Sequence, residues 1–120
     1  MVCGPLAQPL DRAPHLAAHG KDLAAALARK GVPVALSGGG ASSGWLTLEA
    51  ALATGAGMDP EEALRSVTLE PARMLGMSGR VGSLEAGKDA DLVVFSGPPL
   101  ASDSNVLRVL VEGRTAFEVK

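Results

Sequence analysis

Tyrosine is missing from this sequence of 120 residues, and aromatic rings occur only at Trp45, Phe95 and Phe117. A surface for single-stranded nucleic acid needs rings on which bases stack, so composition weighs against that class. Runs of one charge are absent too. Eleven Lys and Arg stand against 13 Asp and Glu, net −2, with no block of like sign. Neither a phosphate-neutralising patch nor a basic membrane-facing surface is present. Cysteine occurs once, at Cys3, which excludes an internal disulfide and fits a reducing, cytoplasmic compartment. No apolar run approaches the roughly 18 residues of a membrane helix. The segment from Met1 to Pro14 lacks the basic start and long apolar stretch of a secretion signal, and Met1-Val2-Cys3 reads instead as an internal strand. Length is short as well: a complete barrel of eight βα units takes roughly 250 residues, so none fits here.

What the chain does have is 47% hydrophobic residues, enough for a core of Ala, Leu and Val. Three prolines, Pro5, Pro9 and Pro14, make residues 4–14 a loop. A helix follows over about 15–30, with Leu16, Gly20, Leu23 and Leu27 spaced to line one face. Gly31 closes it. Val32 to Leu36 reads as a strand, and with residues 1–3 it completes a strand–helix–strand unit whose strands should lie parallel and adjacent. The glycine-rich stretch Ser37 to Gly44 comes next, then a helix over about 46–54 with Leu48, Ala51 and Leu52 on one face.

Asp59-Pro60-Glu61-Glu62 is a helix start, with Asp59 as cap and Glu62 completing a capping box. Ala63, Leu64 and Val67 should face inward, and Pro71 opens a further turn that ends at Gly76. Arg80 to Phe95 reads as two strands, around Val81–Leu84 and Leu92–Phe95, joined by the turn Glu85 to Lys88. Val106–Val111 and Thr115–Val119 form a last hairpin around Glu112-Gly113-Arg114.

The wording of the penultimate stretch, Gly-Ser-Leu-Glu-Ala-Gly-Lys-Asp-Ala-Asp-Leu-Val-Val-Phe at 82–95, closely resembles a segment near the C-terminus of the metal-dependent amidohydrolases, the imidazolonepropionase-like group in particular. Gly31 to Leu36 looks like that family's last barrel strand. Asp59 to Leu64 resembles the start of the helix after the barrel. Glu70 to Gly76 is similar to its Asn-Pro-Ala-Arg segment, with Glu70 where Asn or Thr is commoner. Val106 to Phe117 resembles its closing hairpin, and Gly4-Pro5-Leu6 the loop after the seventh barrel strand. The resemblance implies an α/β partial fold: the last two βα units of a TIM-type barrel with following helices over 1–76, and C-terminal strands of a small composite β-sandwich over 77–120.

Such enzymes hold one or two metal ions with a His-X-His pair on the first barrel strand, ligands on middle strands and an Asp that ends the eighth. None of the early strands is in this sequence. The Asp position falls two residues after Ser37, on Gly39, which has no side chain to bind metal or take a proton. The candidate active-site loop is therefore Ser37, Gly38, Gly39, Gly40, Ser42 and Ser43, with no catalytic residue and no metal ligand assigned. A zinc-type divalent metal is implied only for a full-length family member.

Other readings of these residues are weaker. The Ser37–Gly40 glycines lack the Gly-Lys-Ser/Thr ending of a phosphate loop, and Ser42 and Ser43 have no evident base. His15 and His19 share a helical face at a spacing that can bind zinc, but Leu16 replaces the usual Glu and no third ligand is near. Asp89 and Asp91 read as a solvent-facing strand entrance, and Cys3 as a strand thiol. Two functions remain open. One is the C-terminal segment of an enzyme that hydrolyses a non-peptide C–N bond with metal-activated water and is inactive alone. The other is a non-catalytic structural or binding homologue with a degenerate site. The implied partner is the missing N-terminal part of the fold or another subunit, with no nucleic acid and no membrane.

Overall fold

The computed structural model describes residues 2–3, 14–38 and 46–120. Strand β1, Val2–Cys3, precedes helix α1, Pro14–Arg29, and strand β2, Ala35–Leu36. The two strands are parallel neighbours, Val2 opposite Ala35 and Cys3 opposite Leu36, as the strand–helix–strand pattern requires. The second strand is shorter than Val32 to Leu36, because only its last two residues pair.

Three helices follow: α2, Leu46–Gly55; α3, Pro60–Arg65; and α4, Leu69–Met74. Asp59 caps α3, its carboxylate accepting from the N–H groups of Glu61 at 2.9 Å and Glu62 at 3.3 Å. Glu62 lies 3.9 Å from Arg65, so the cap works through Asp59. Helix α4 starts at Leu69, two residues before Pro71. Proline fits its first turn, where backbone N–H groups have no partner within the helix.

The core is built from small side chains. Ala24, Ala25, Ala50, Ala53 and Ala63 are fully buried, with Val34, Leu36 and Met58 among them. The helix faces follow the leucine spacing only in part, Leu27 packing against the core as expected. On α1, Leu23 is 50% exposed while Ala24 and Ala25 are buried; on α2, Leu48 is exposed and Glu49, Ala50 and Ala53 are buried. On α3, Ala63 is buried and Leu64 is exposed, while Val67, just past the helix end, packs against the core. The small alanine faces are the ones that meet where α1 and α3 pack against α2, and α2 against β2.

The C-terminal sheet has the order β3–β4–β5: Leu92–Phe95, Val106–Val111 and Arg114–Glu118, all antiparallel. The expected strand at 81–84 does not form. Gly82 sits at φ +94°, and a Cβ there would lie 2.8 Å from the Ala72 Cβ and 3.0 Å from the Thr68 carbonyl oxygen. Residues 81–83 are thus seated on the start of α4, not in a sheet. The loop is closed locally: Lys88 Nζ donates to Ser83 Oγ at 2.5 Å and to Glu85 at 3.0 Å. A single backbone bond, from Asp89 N–H to the Arg80 carbonyl at 2.8 Å, ties its two ends. Strand β3 pairs with β4 instead. The β4–β5 turn is made by Glu112 (φ +50°) and Gly113 (φ +74°), left-handed at both positions as a two-residue hairpin turn demands.

Candidate functional site

The candidate loop leaves the C-terminal end of β2. The Leu36 N–H donates to the Ser66 carbonyl at 2.9 Å, which pins the strand end to the α3–α4 junction. Ser66 is itself buried, and its hydroxyl donates to the Ala63 carbonyl at 2.6 Å. Ser37 and Gly38 follow, half-buried. Gly39, Gly40, Ser42 and Ser43 lie outside the described residues. His15 and His19 both belong to α1, and Cys3 to β1; their side chains lie outside the description.

Two buried carboxylates sit on α2 and α4, the helices that pack against β2. Glu49, in the first turn of α2, is 2% exposed. It is the one charged residue in a ten-residue helix of otherwise Leu, Ala, Thr and Gly, and that isolation was the available signal. A buried carboxylate requires compensation, and Glu49 has a partner. Glu70, buried in α4, receives the Arg73 Nη1 at 2.6 Å and lies 3.8 Å from Arg65 Nη2. Its signal was the unusual Glu in an Asn-Pro-Ala-Arg context. Arg65 Nε is buried without a hydrogen-bond partner among the described residues.

Asp89 and Asp91 stand at the entrance to β3, as expected, and each has a partner. Asp89 accepts from Arg80 at 2.6 Å, and Asp91 accepts from the N–H of Glu112 at 2.8 Å, which braces the left-handed turn residue. The hydrogen bond to Asp89 and its charge raise the pKa of Arg80 further above its ordinary value. Glu85 is held below the usual carboxylate range, first by the Ser83 hydroxyl and then by Lys88.

Among the described residues, no three of His, Cys, Asp and Glu come together in a group able to hold a metal. The described part of the chain therefore does not supply a ligand set, and no chemical step can be derived through a metal from it. What it supplies is a strand end followed by Ser37 and Gly38, and a buried carboxylate, Glu49, on the next helix. No described helix is long and apolar enough to cross a membrane.

This arrangement has known relatives. The amidohydrolase family pattern matches residues 6–116. The chain is 53% identical over 51 residues to an imidazolonepropionase of Erwinia tasmaniensis, a match covering 42% of this chain and 12% of that protein. The amidohydrolase of Thermotoga maritima superposes with a TM-score of 0.77 at 39% identity, over 82% of this chain and 26% of the other. A Xaa-Pro dipeptidase solved with methionine in its active site gives a TM-score of 0.74 at 30% identity, over 89% of this chain and 27% of its own. The chain thus spans about a quarter of the length of these solved relatives, and its fold is a partial α/β one. With nearly every residue inside the family pattern, and both sequence and backbone in agreement, this chain belongs to the amidohydrolase family.

Proposed function

We propose that the chain is the C-terminal segment of an amidohydrolase whose whole form hydrolyses a non-peptide, cyclic amide-type C–N bond with a metal-activated water, and that the segment is inactive alone. The observation that carries this reading is the pairing of a family match over residues 6–116 with a span of only about a quarter of the solved relatives. Residues 1–76 then correspond to the last βα units of a barrel and the helices after it, and 77–120 to one share of a composite β-sandwich. The loop from Ser37 to Ser43 contributes to the barrel mouth, where such folds carry their chemistry. The missing N-terminal part of the fold, or another subunit, provides the metal ligands. The setting is cytoplasmic.

A second reading is favoured by Gly39: a non-catalytic homologue whose site has degenerated. One experiment separates the two. The chain is joined to the upstream sequence of its gene, loaded with zinc, and assayed against a panel of cyclic amides together with a Xaa-Pro dipeptide, the latter included because of the dipeptidase neighbour. The catalytic reading expects turnover in the joined protein, none in the 120-residue chain, and a rise with Gly39→Asp. A positioned acid or base is typically worth about 10²–10⁴-fold. A joined protein that binds zinc and hydrolyses nothing, before and after the substitution, supports the second reading. Turnover by the 120-residue chain alone refutes the first.

A further inference from the structure

The joint between α3 and α4 carries an ion cluster centred on Glu70 of α4, whose side chain is only 8% exposed. Two guanidinium groups approach the same carboxylate oxygen, Oε1: Arg73 Nη1 donates to it at 2.6 Å, and Arg65 Nη2 stands at 3.8 Å. The two arginines hold different things. Arg73 lies on the same helix as Glu70, three residues on, so that pair fixes the carboxylate in place. Arg65 is the last residue of α3, so its pair with Glu70 crosses the joint. Its Nε is buried without a hydrogen-bond partner among the described residues, so the stem is enclosed and moves with the helix end. An uncharged side chain at 70 could bond one arginine; a carboxylate attracts both.

Little else holds the joint. Val67 N–H reaches the Leu64 carbonyl and Thr68 N–H the Arg65 carbonyl, both over a long 3.2 Å. Thr68, which precedes α4, gives that helix no side-chain cap; its hydroxyl donates backward, to the Leu64 carbonyl at 2.9 Å.

The joint is where β2 is tied. Ser66, next to Arg65, accepts the Leu36 N–H on its carbonyl at 2.9 Å. Strand β2 has only two paired residues, Ala35 and Leu36, so one bond at its last residue is a large share of what holds that end. Ser37 and Gly38, the start of the candidate loop, follow directly.

We propose that Glu70 is a positioning residue: through Arg65 it fixes the direction of the Ser66 carbonyl, and so the end of β2 from which the candidate loop departs. The catalytic half of this assignment rests on the reading of the chain as one segment of an amidohydrolase. Glu70 touches no substrate in it. Loss of Glu70 misplaces the loop in the transition state more than it weakens substrate binding.

The test uses the joined protein, the 120-residue chain continued into the upstream sequence of its gene and loaded with zinc. Amide hydrogen exchange is followed at Leu36 and, as a reference, at Ala53, which is fully buried in α2. Glu70→Gln and Arg65→Gln should each speed exchange at Leu36 by about tenfold, the size of one bond to a charged group, and leave Ala53 unchanged. The double variant should add nothing, since both substitutions break one tie. Glu62→Gln removes only the other pair of Arg65, half-exposed and 3.9 Å long, and should move neither amide. On whichever cyclic amide or Xaa-Pro dipeptide the joined protein hydrolyses, kcat should fall by about ten- to a hundredfold in the first two variants with KM unchanged. Arg65→Gln leaves Glu70 paired with Arg73, so it decides the matter if Glu70→Gln fails to fold. Equal acceleration at Leu36 and Ala53 means that Glu70 merely stabilises the fold, and overturns the proposal. An unmoved Leu36 amide, or a KM that rises with kcat intact, overturns it too. A joined protein that hydrolyses nothing overturns the amidohydrolase reading and the catalytic half with it; a selective effect at Leu36 then upholds the tie on its own.

Discussion

A single glycine decides how the chain passes from its helices to its sheet. At Gly82 two constraints coincide, a left-handed φ of +94° and a Cβ position 2.8 Å from the side chain of Ala72. Either alone disfavours any other residue; together they leave no room and no comfortable backbone. Gly82→Ala should loosen the seat of residues 81–83 on α4. The nearby amide of Met77, bonded to the Ala72 carbonyl at 2.7 Å, should then open more easily, by about 1–3 kcal/mol. Native-state hydrogen exchange reads this directly, and an unchanged Met77 amide would show that the contact is not structural. Such a position is hard to foresee from sequence, because Gly82 lies inside Val81–Leu84, a stretch that reads as strand. The obstacle is Ala72, ten residues upstream and meaningful only once α4 is folded.

At the scale of elements, the punctuation was legible and the faces only in part. Asp59-Pro60 announced α3, and Gly113 the closing hairpin, because caps and left-handed turns are local chemistry. Which side of α1 and α2 turns inward is not local. Leucine spacing nominated Leu23, Leu27 and Leu48; Leu27 packs against the core, while Leu23 and Leu48 are exposed and alanines fill the interior. Most of the candidate loop lies outside the described residues, and Glu49 escaped notice, since one carboxylate on an apolar helix shows its burial only in three dimensions.

The 83–88 loop offers a titration at this scale. Glu85 is fully charged above its unfolded pKa in both states, and its folded pKa is lowered by Ser83 and Lys88. Stabilisation from those bonds is present above the unfolded pKa and is lost as pH falls through the folded one. The group is exposed, so the contribution is small. The Glu85 side-chain carboxyl carbon should titrate at lower pH than in an unfolded peptide of residues 80–90. Ser83→Ala should move that midpoint up. A midpoint equal to the peptide's would mean the loop bonds do not persist in solution.

For the whole molecule, surface area tells against self-sufficiency. A folded monomer of 12.1 kDa exposes about 6,000 Å² by the usual scaling of area with mass. This chain exposes 7832 Å². The excess of about 1,800 Å² is larger than the roughly 800 Å² that one partner contributes to a standard interface, which supports the proposed reading of the chain as one segment of a larger fold. Its radius of gyration of 14.9 Å also exceeds the about 13.6 Å of a compact domain of this length. The surplus is apolar in character: Leu23, Leu48, Leu75, Leu84, Val93, Val111 and Phe117 are each more than two-fifths exposed, while the largest fully buried side chains are Glu49 and Ser66. A core of alanines contributes little burial energy per residue, since the gain scales with apolar area, and the large side chains that would contribute most still face water. The purified chain should therefore associate at micromolar concentration, bind a hydrophobic dye, and melt without a sharp cooperative transition. Joined to the rest of its fold, it should lose dye binding and melt as one unit. A monodisperse 120-residue monomer with a steep melt would mean that these side chains have found cover within the chain, and that the fold described here is not its solution state when alone.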